Sequence, residues 1–399
     1  MDSNKSSSNS ASACRPQITI HTTLDIPTTT PILSPPVTPS SLEKHQLPTY
    51  QTQEMAPENR VLKFPYWKIN YAIRDKRIGH GLWSDVYLAD PVALECSPPR
   101  ALTPPTTPTM EKKEDEAFAG GDGATTAMDS KTSSTVWAIK KPASRSAHAV
   151  LRAEAEVLTH LSNCSAPCKN ILEFHGLDSR TGNLVMRAYP TSLEAWTLQE
   201  LNSLDEESRA TKLAATFKSL ALGLIGGLKF LKEMGVVHGD LKPGNVLLDK
   251  FSSGGSTVIT PVIADFSSAL ITLSTAASQP GASSLGGGTW DFLDPSLVSK
   301  PPATISYSTD LYSLAATLLW VVIGGTPFSQ APNMFIVREM VKMGCMLDIL
   351  GMKEAARMQK LSEVLGMDLK AWFGAVLKKD VGGRVGLETW EDMLKTSLV

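Results

Sequence analysis

His238-Gly239-Asp240-Leu241-Lys242-Pro243-Gly244-Asn245-Val246-Leu247-Leu248 is the stretch on which the reading of this chain turns. Asp240, Lys242 and Asn245 share one tight Pro-Gly loop, from which their side chains can converge on a single point. A carboxylate there can accept a hydroxyl proton, an ammonium can neutralise a transferring phosphoryl group, and a side-chain amide can hold a metal ion. A plain solvated turn would need no anchor, yet the apolar run Val246-Leu247-Leu248 holds its far side. Immediately upstream, Leu213, Phe217, Leu220, Leu224, Leu228 and Leu231 recur at the three- and four-residue spacing of one helix face.

Three further signals lie at a distance. Ile263-Ala264-Asp265-Phe266-Ser267 is a short apolar strand ending in a carboxylate, and Asp265 suits Mg²⁺, which takes one or two carboxylates beside phosphate oxygens. Ile78-Gly79-His80-Gly81-Leu82-Trp83-Ser84-Asp85-Val86 reads as strand, turn, strand; its glycines let backbone N–H groups approach phosphate with no Cβ in the way. A strand rather than a helix follows, which disfavours a dinucleotide-binding fold. Ala138-Ile139-Lys140 lies on a third strand, and a functional Lys140 needs a carboxylate to orient it. Glu154, in the helical stretch Ala147–Leu161, can supply one, whereas Glu156 falls off the core-facing stripe of Val150, Leu151, Ala155, Leu158 and Leu161.

Around these signals the organisation is uneven. Strands are expected at Tyr71–Gly79, Ser84–Ala89, Thr135–Lys141, Asn170–Leu177 and Asn183–Ala188, and the second half is mostly helical. That order suggests two unequal lobes with a cleft between them. Residues 1–60 hold 26 Ser, Thr or Pro, too little apolar area to offset ordering entropy, and are expected to be disordered. A second such tract, 91–134, is expected as a solvated loop inserted between strands. Ser34-Pro35, Thr38-Pro39, Ser97-Pro98, Thr103-Pro104 and Thr107-Pro108 would suit proline-directed phosphorylation.

Composition narrows the partners. With 38 Lys+Arg against 40 Asp+Glu, a formal charge of -2, there is no global field for gripping nucleic acid or anionic lipid. The five cysteines (Cys14, Cys96, Cys164, Cys168, Cys345) form no disulfide framework and no zinc pattern, which fits a reducing compartment. The N-terminal residues carry Ser and Thr where a secretory signal has its apolar core. Leu311–Gly325 is too short and too interrupted to span a bilayer and reads as a buried core helix. The expectation is an intracellular protein, cytoplasmic or nuclear, of open oligomeric state, with no nucleic-acid or membrane partner.

Taken in order, these residues resemble the eukaryotic protein kinase family. The resemblance covers about residues 66–395 and implies an α+β, bilobal fold with a small β-rich N-lobe (61–187) and a larger, mainly helical C-lobe (188–399). It implies ATP and Mg²⁺ as cofactors and Ser/Thr hydroxyls of protein substrates as acceptors. Asp240 would then be the catalytic base, Lys242 the phosphoryl-stabilising lysine, Lys140 the α/β-phosphate lysine with Glu154 as its helix partner, and Asn245 and Asp265 the metal ligands. Ile78, Gly79, His80 and Gly81 match the phosphate-covering loop, with Ser84 in place of a third glycine. Val86, Ala138 and Leu247 would sandwich the adenine; Met186 falls at the gatekeeper, followed by the backbone of Arg187 and Tyr189. Downstream, Gly288–Ser296 resembles the substrate-docking segment, Asp310 matches the buried aspartate that braces the catalytic loop, and Arg384 matches an arginine near the C-terminus. Lys242 and Thr289 resemble the Ser/Thr class rather than the tyrosine class.

Several positions depart from the family. Gly239 replaces the arginine that pairs with a phosphorylated activation loop, so activity is expected to be independent of phosphorylation there. Ser267 replaces the glycine of the Asp-Phe-Gly turn. Ser296 replaces the glutamate that pairs with Arg384, so that ion pair is expected to be missing or rerouted. The activation segment, Phe266 to Trp290, has no charge and nine Ser/Thr, and is expected to be mobile. These departures motivate a second reading, an ATP-binding scaffold without transfer activity. The His-Gly-Asp motif motivates a third, a small-molecule kinase. ATP turnover with an Asp240→Asn control separates the scaffold from the enzyme, and the identity of the labelled product separates the two kinases.

Overall fold

The computed structural model describes residues 61–93, 136–253, 256–272 and 289–396. The expected tail at 1–60, most of the 91–134 insertion and the middle of the activation segment lie outside these residues.

The first lobe is a five-stranded antiparallel sheet in the order β1-β2-β3-β5-β4, from β1 (Ile69–His80), β2 (Ser84–Ala93), β3 (Trp137–Pro142), β4 (Phe174–Asp178) and β5 (Asn183–Arg187). One helix, α1 (Ala147–Ser162), packs on it, chiefly against β4. The tract expected to begin at Pro91 starts later, because Pro91, Val92 and Ala93 still pair with Tyr71, Asn70 and Ile69 of β1. β3 pairs with β2 only as far as Ala89, so a residue lacking an N–H is tolerated beyond it. The strand expected over Asn170–Leu177 is shorter. Asn170 and Ile171 leave the sheet and join the other lobe, Asn170 donating its side-chain amide to Pro261 O (2.8 Å) and Ile171 bridging Ile263.

The second lobe begins with β6 (Thr191–Ser192) and the short helix α2 (Leu193–Ala195), which runs on as a π-helical turn, Trp196–Leu201. The long helix α3 (Glu206–Glu233) follows, capped by Asp205, whose carboxylate accepts from the N–H groups of Glu207 and Ser208. All six residues of its expected apolar stripe are buried. By length and composition α3 could cross a membrane; here its stripe forms the lobe's core. β7 (Val236–Val237) pairs with β10 (Leu270–Ile271), and β8 (Val246–Ser253) with β9 (Ser256–Ile263), a hairpin longer than the short strands read from the sequence.

Then come α4 (Tyr307–Ile323), α5 (Met334–Met343), α6 (Met352–Leu365), α7 (Leu369–Gly374) and α8 (Leu387–Thr396). α4 is the helix expected from Leu311–Gly325 and is buried along nearly its whole length. Its C-terminal carbonyls are satisfied from other elements: Arg209 donates to Val321 O (2.7 Å) and Val322 O (2.9 Å), and Arg357 to Ile323 O (2.9 Å). Burial lowers the Arg209 pKa to about 10, with the nearby Arg357 charge adding to the effect. The negative end of the α4 dipole is what such a cation best offsets.

Candidate active site

The loop that begins at His238 is held by Asp310 of α4. The Asp310 carboxylate, wholly buried, accepts the backbone N–H of His238 (2.6 Å) and of Gly239 (2.9 Å). Burial pushes its carboxyl up, and these donors work against that. His238 is fixed from both ring nitrogens. Nδ1 lies 3.3 Å from the Asp240 N–H, which it accepts, so Nε2 carries the proton shared with Ala264 O at 3.0 Å. The ring also tilts against Phe266, with centroids 5.0 Å apart.

Within that frame the three residues expected to converge do so. Lys242 Nζ donates to Asp240 Oδ2 (2.7 Å), and Asn245 Nδ2 to Asp240 O (2.8 Å) and Oδ2 (3.1 Å). The Asn245 backbone carbonyl accepts from the Ala264 N–H (2.9 Å), which sets the loop beside Asp265.

Lys140 is almost fully buried and donates to both Glu154 oxygens (2.8 and 2.7 Å) and to Asp265 Oδ1 (2.8 Å). Burial opposes the ammonium's charge, but the two carboxylates outweigh it and hold its pKa above the ordinary lysine value. Burial likewise opposes the Asp265 charge; Lys140, helped by the Ser267 hydroxyl, holds that carboxyl well below the usual range. Glu154 also accepts the Phe266 N–H (3.2 Å), tying α1 to the residue after Asp265. Asp265 is the one non-glycine residue with positive φ (62°) among those described. Such a backbone is strained and persists only where surroundings over-determine it, as the bonds around Asp265 and Phe266 do.

The glycine turn joins β1 to β2. Gly81 N–H donates to Ser84 O (2.9 Å), and a Cβ on Gly79 would come within 3.3 Å of Val86 Cβ, a tight approach that its glycine relieves. Ser84 is buried. His80 shares Asp85 with Arg77, its Nδ1 lying 2.7 Å from Asp85 Oδ1, while Ile78 is half exposed. Val86 pairs with Lys140 across β2 and β3, and Ala138 with Met186 across β3 and β5. Ala138, Tyr189 and Leu247 are partly buried against the main core, and Met186 is within it. Arg187 reaches from the end of β5 to Asp249 on β8 (2.7 Å), a link between the lobes that the sequence reading missed.

Two departures resolve into geometry. Gly239 has φ +78°, and a Cβ there would lie 2.8 Å from Ser268 O, so the segment after Asp265 passes where a side chain would otherwise begin. Ser296 does not pair with Arg384; Asp294, two residues earlier, does. Arg384 Nη1 bonds Asp294 Oδ2, and Nη2 bonds Oδ1 at 3.0 Å. Asp294 also caps the 3₁₀ turn Pro295–Val298 by accepting the Ser296 N–H (2.8 Å).

The β-rich first lobe and helical second lobe are the frame expected of the protein kinase fold. The family model described as protein kinase domain matches residues 119–398, and the chain belongs to that family. The match begins after the glycine hairpin, which the sheet ties to the rest. Among relatives, the serine/threonine-protein kinase ISR1 of Eremothecium gossypii is 28% identical over 49% of this chain and 54% of its own length. The human serine/threonine-protein kinase tousled-like 2 is 32% identical over 33% of this chain and 18% of its own. The probable serine/threonine-protein kinase gdt4 of Dictyostelium discoideum is 32% identical over 30% of this chain and 7% of its own. The chain thus spans about half, or much less, of these relatives.

Proposed function

We propose that this chain is a protein serine/threonine kinase that moves the γ-phosphoryl of ATP to Ser or Thr hydroxyls of protein substrates. The observation that carries this is the pair of bonded clusters, Lys140–Glu154–Asp265 and Asp240–Lys242–Asn245, whose segments are joined by the Ala264 N–H bond to Asn245 O. Their donor chemistry suits Mg²⁺ and a nucleotide. Asp265 is kept ionised, and Asn245 spends its amide N–H groups on Asp240, leaving Oδ1 uncommitted among the described residues. No group of three or more His, Cys, Asp or Glu that could hold a metal occurs among the described residues, so phosphate oxygens would complete the shell.

Bound ATP and Mg²⁺ supply the transferable phosphoryl group and the neutralisation of its charge. Lys140, oriented by Glu154, would hold the α- and β-phosphates, and Asn245 and Asp265 the metal. Asp240 would orient the acceptor hydroxyl and take its proton at a carboxylate oxygen. Lys242 would place its ammonium against the charge that develops on the phosphoryl oxygens. Ile78, Gly79, His80 and Gly81 would cover the phosphates. Val86, Ala138 and Leu247 would flank the adenine, with Met186 at the back and Arg187 and Tyr189 along the edge. The reading carries with it a soluble intracellular protein with a kinase domain over 61–399. None of the departures at Gly239, Ser267 or Ser296 removes a group the transfer needs, which is why catalysis is favoured over a scaffold.

The test is ATP turnover and transfer to a peptide library by the purified full chain. Activity lost in Asp240→Asn, and retained after phosphatase treatment, supports the reading and its independence of activation-loop phosphate. Equal ATP consumption by parent and variant would sink it.

A further inference from the structure

We propose that Val61–Phe64 are positioning residues for the reaction: this segment clamps α1 so that Glu154 stays on Lys140. The inference rests on the kinase reading of that pair and adds to it what fixes the helix.

The segment lies just before β1 and behaves as an extra strand on the outer edge of β4. Leu62 O accepts the Leu177 N–H (2.8 Å) and Phe64 N–H donates to Leu177 O (3.0 Å), a parallel bridge centred on Lys63 and Leu177. Its two end side chains are buried in two different apolar clusters, and the middle two are exposed. Val61 is buried in the cluster that holds Leu151, Ala155 and Leu158 of α1. Phe64 is buried in a separate cluster with Ala89, Trp137, Ile139 and Val185, edge-on to Trp137 (5.4 Å) and Tyr71 (5.6 Å). Leu62 and Lys63 face outward.

The link to α1 is specific. Leu62 N–H donates to Thr159 Oγ1 (2.9 Å), and the Thr159 hydroxyl donates to Ala155 O (2.6 Å), the residue next to Glu154. One backbone strand is thereby tied to the turn of α1 that carries the ion pair. The fit also needs Gly176, at φ +129°. A Cβ there would lie 2.5 Å from Phe64 N and 2.7 Å from Lys63 C, too close for any side chain. With the clamp in place, α1 cannot rotate on the sheet without breaking the Leu62–Thr159 bond or pulling the segment off β4. With it gone, Glu154 would be held near Lys140 only by the Phe266 N–H and the ion pair itself, so the ammonium would be positioned less firmly for phosphate.

The test uses the full-length chain in two forms. Val61→Asp with Leu62→Pro buries a charge and removes the N–H that bonds Thr159. Gly176→Ala forces the segment off β4 while leaving its sequence intact. Amide hydrogen exchange is read across α1, α3 and α4, and transfer kinetics are read beside nucleotide affinity measured with a fluorescent ADP analogue. The expected result in both forms is that α1 exchange speeds by about tenfold or more while α3 and α4 are unchanged, since opening free energies are local. The rate constant kcat should fall by a similar factor, with nucleotide affinity held within about threefold. Unchanged α1 protection in both forms overturns the clamp, and so does protection lost equally across α3 and α4, which would make the segment a general support. The exchange arm needs no activity, so an inactive parent chain would refute the kinase reading while leaving the clamp decided on its own evidence.

Discussion

Two buried ion pairs differ in how strictly their positions are fixed. Lys140 and Glu154 are 7% and 0% exposed at their side chains, and Arg384 and Asp294 are 2% and 0%, so both pairs are almost equally dry. The first stands where the family resemblance puts it. The second has moved its acid by two residues, from the expected position 296 to Asp294. On the proposed function the Lys140 ammonium would meet a phosphate at a fixed place, where Glu154 of α1 and Asp265 together hold it. Arg384 has only to brace a loop. It does so with every face of its guanidinium: Nε donates to Lys378 O (2.8 Å), both Nη groups reach Asp294, and the plane covers the Tyr312 ring at 4.9 Å. A brace tolerates any acid in reach, and Asp294 was already there as the cap of its turn.

The largest effect expected from breaking this comparison is at Lys140. Lys140→Met should cut kcat by about 10³-fold, because the phosphates lose their fixed cation in a dry site. The loss of stability should be smaller and pH-dependent, since burial already pushes the Glu154 carboxyl up and the variant removes the main opposing influence. A carboxyl whose folded pKa is raised supports the fold at low pH and loses that support as pH rises through the raised value. Chemical denaturation of variant and parent between pH 5 and 9 should therefore show a gap that widens with pH. A constant gap would mean that Glu154 stays paired by another route.

Arg384→Ala should do the reverse. It strands Asp294 in the interior, and breaking a buried pair by removing one partner costs about 3 kcal/mol or more. Thermal unfolding should shift down, while kcat per folded molecule holds within a few-fold. Replacing both partners, Arg384→Met with Asp294→Leu, should recover much of the loss, because a buried charge without its partner is the costly species. If the single variant instead lost turnover at full stability, the second pair would belong with the first as part of the chemistry.

The same contrast explains how much was legible in the sequence. The Asp240 loop, Lys140, Glu154, Asp265 and the stripe on α3 were readable because chemistry or a 3.6-residue period ties each residue type to its place. What escaped was set by contacts between distant backbones. Nothing local marks Val61–Phe64 as a strand, since its partner edge exists only once Gly176 adopts positive φ. Nothing local shows that Gly239 lies against Ser268 O, or that β2 runs through Pro91, which depends on where β3 stops. With Ser296 in the family's acid position the Arg384 pair was expected to be missing or rerouted, and which acid takes it, Asp294, is decided by reach and burial.

The smallest predicted effect sharpens the point at that vacated position. Ser296 keeps a buried hydroxyl with no hydrogen-bond partner among the described residues, while its backbone N–H goes to Asp294. A hydroxyl shut from water and unbonded costs free energy, so deleting it relieves a penalty rather than breaking a contact. Ser296→Ala should therefore leave stability unchanged or raise it by less than about 1 kcal/mol, with turnover unaltered. Ser296→Glu should destabilise, because a second carboxylate would enter beside Asp294, whose bonds to Arg384 are already made; thermal unfolding of the two variants against the parent measures both signs. Were the glutamate to stabilise and the alanine to destabilise, position 296 would still be the preferred seat of the acid, and the claim that a brace accepts any acid within reach would fail.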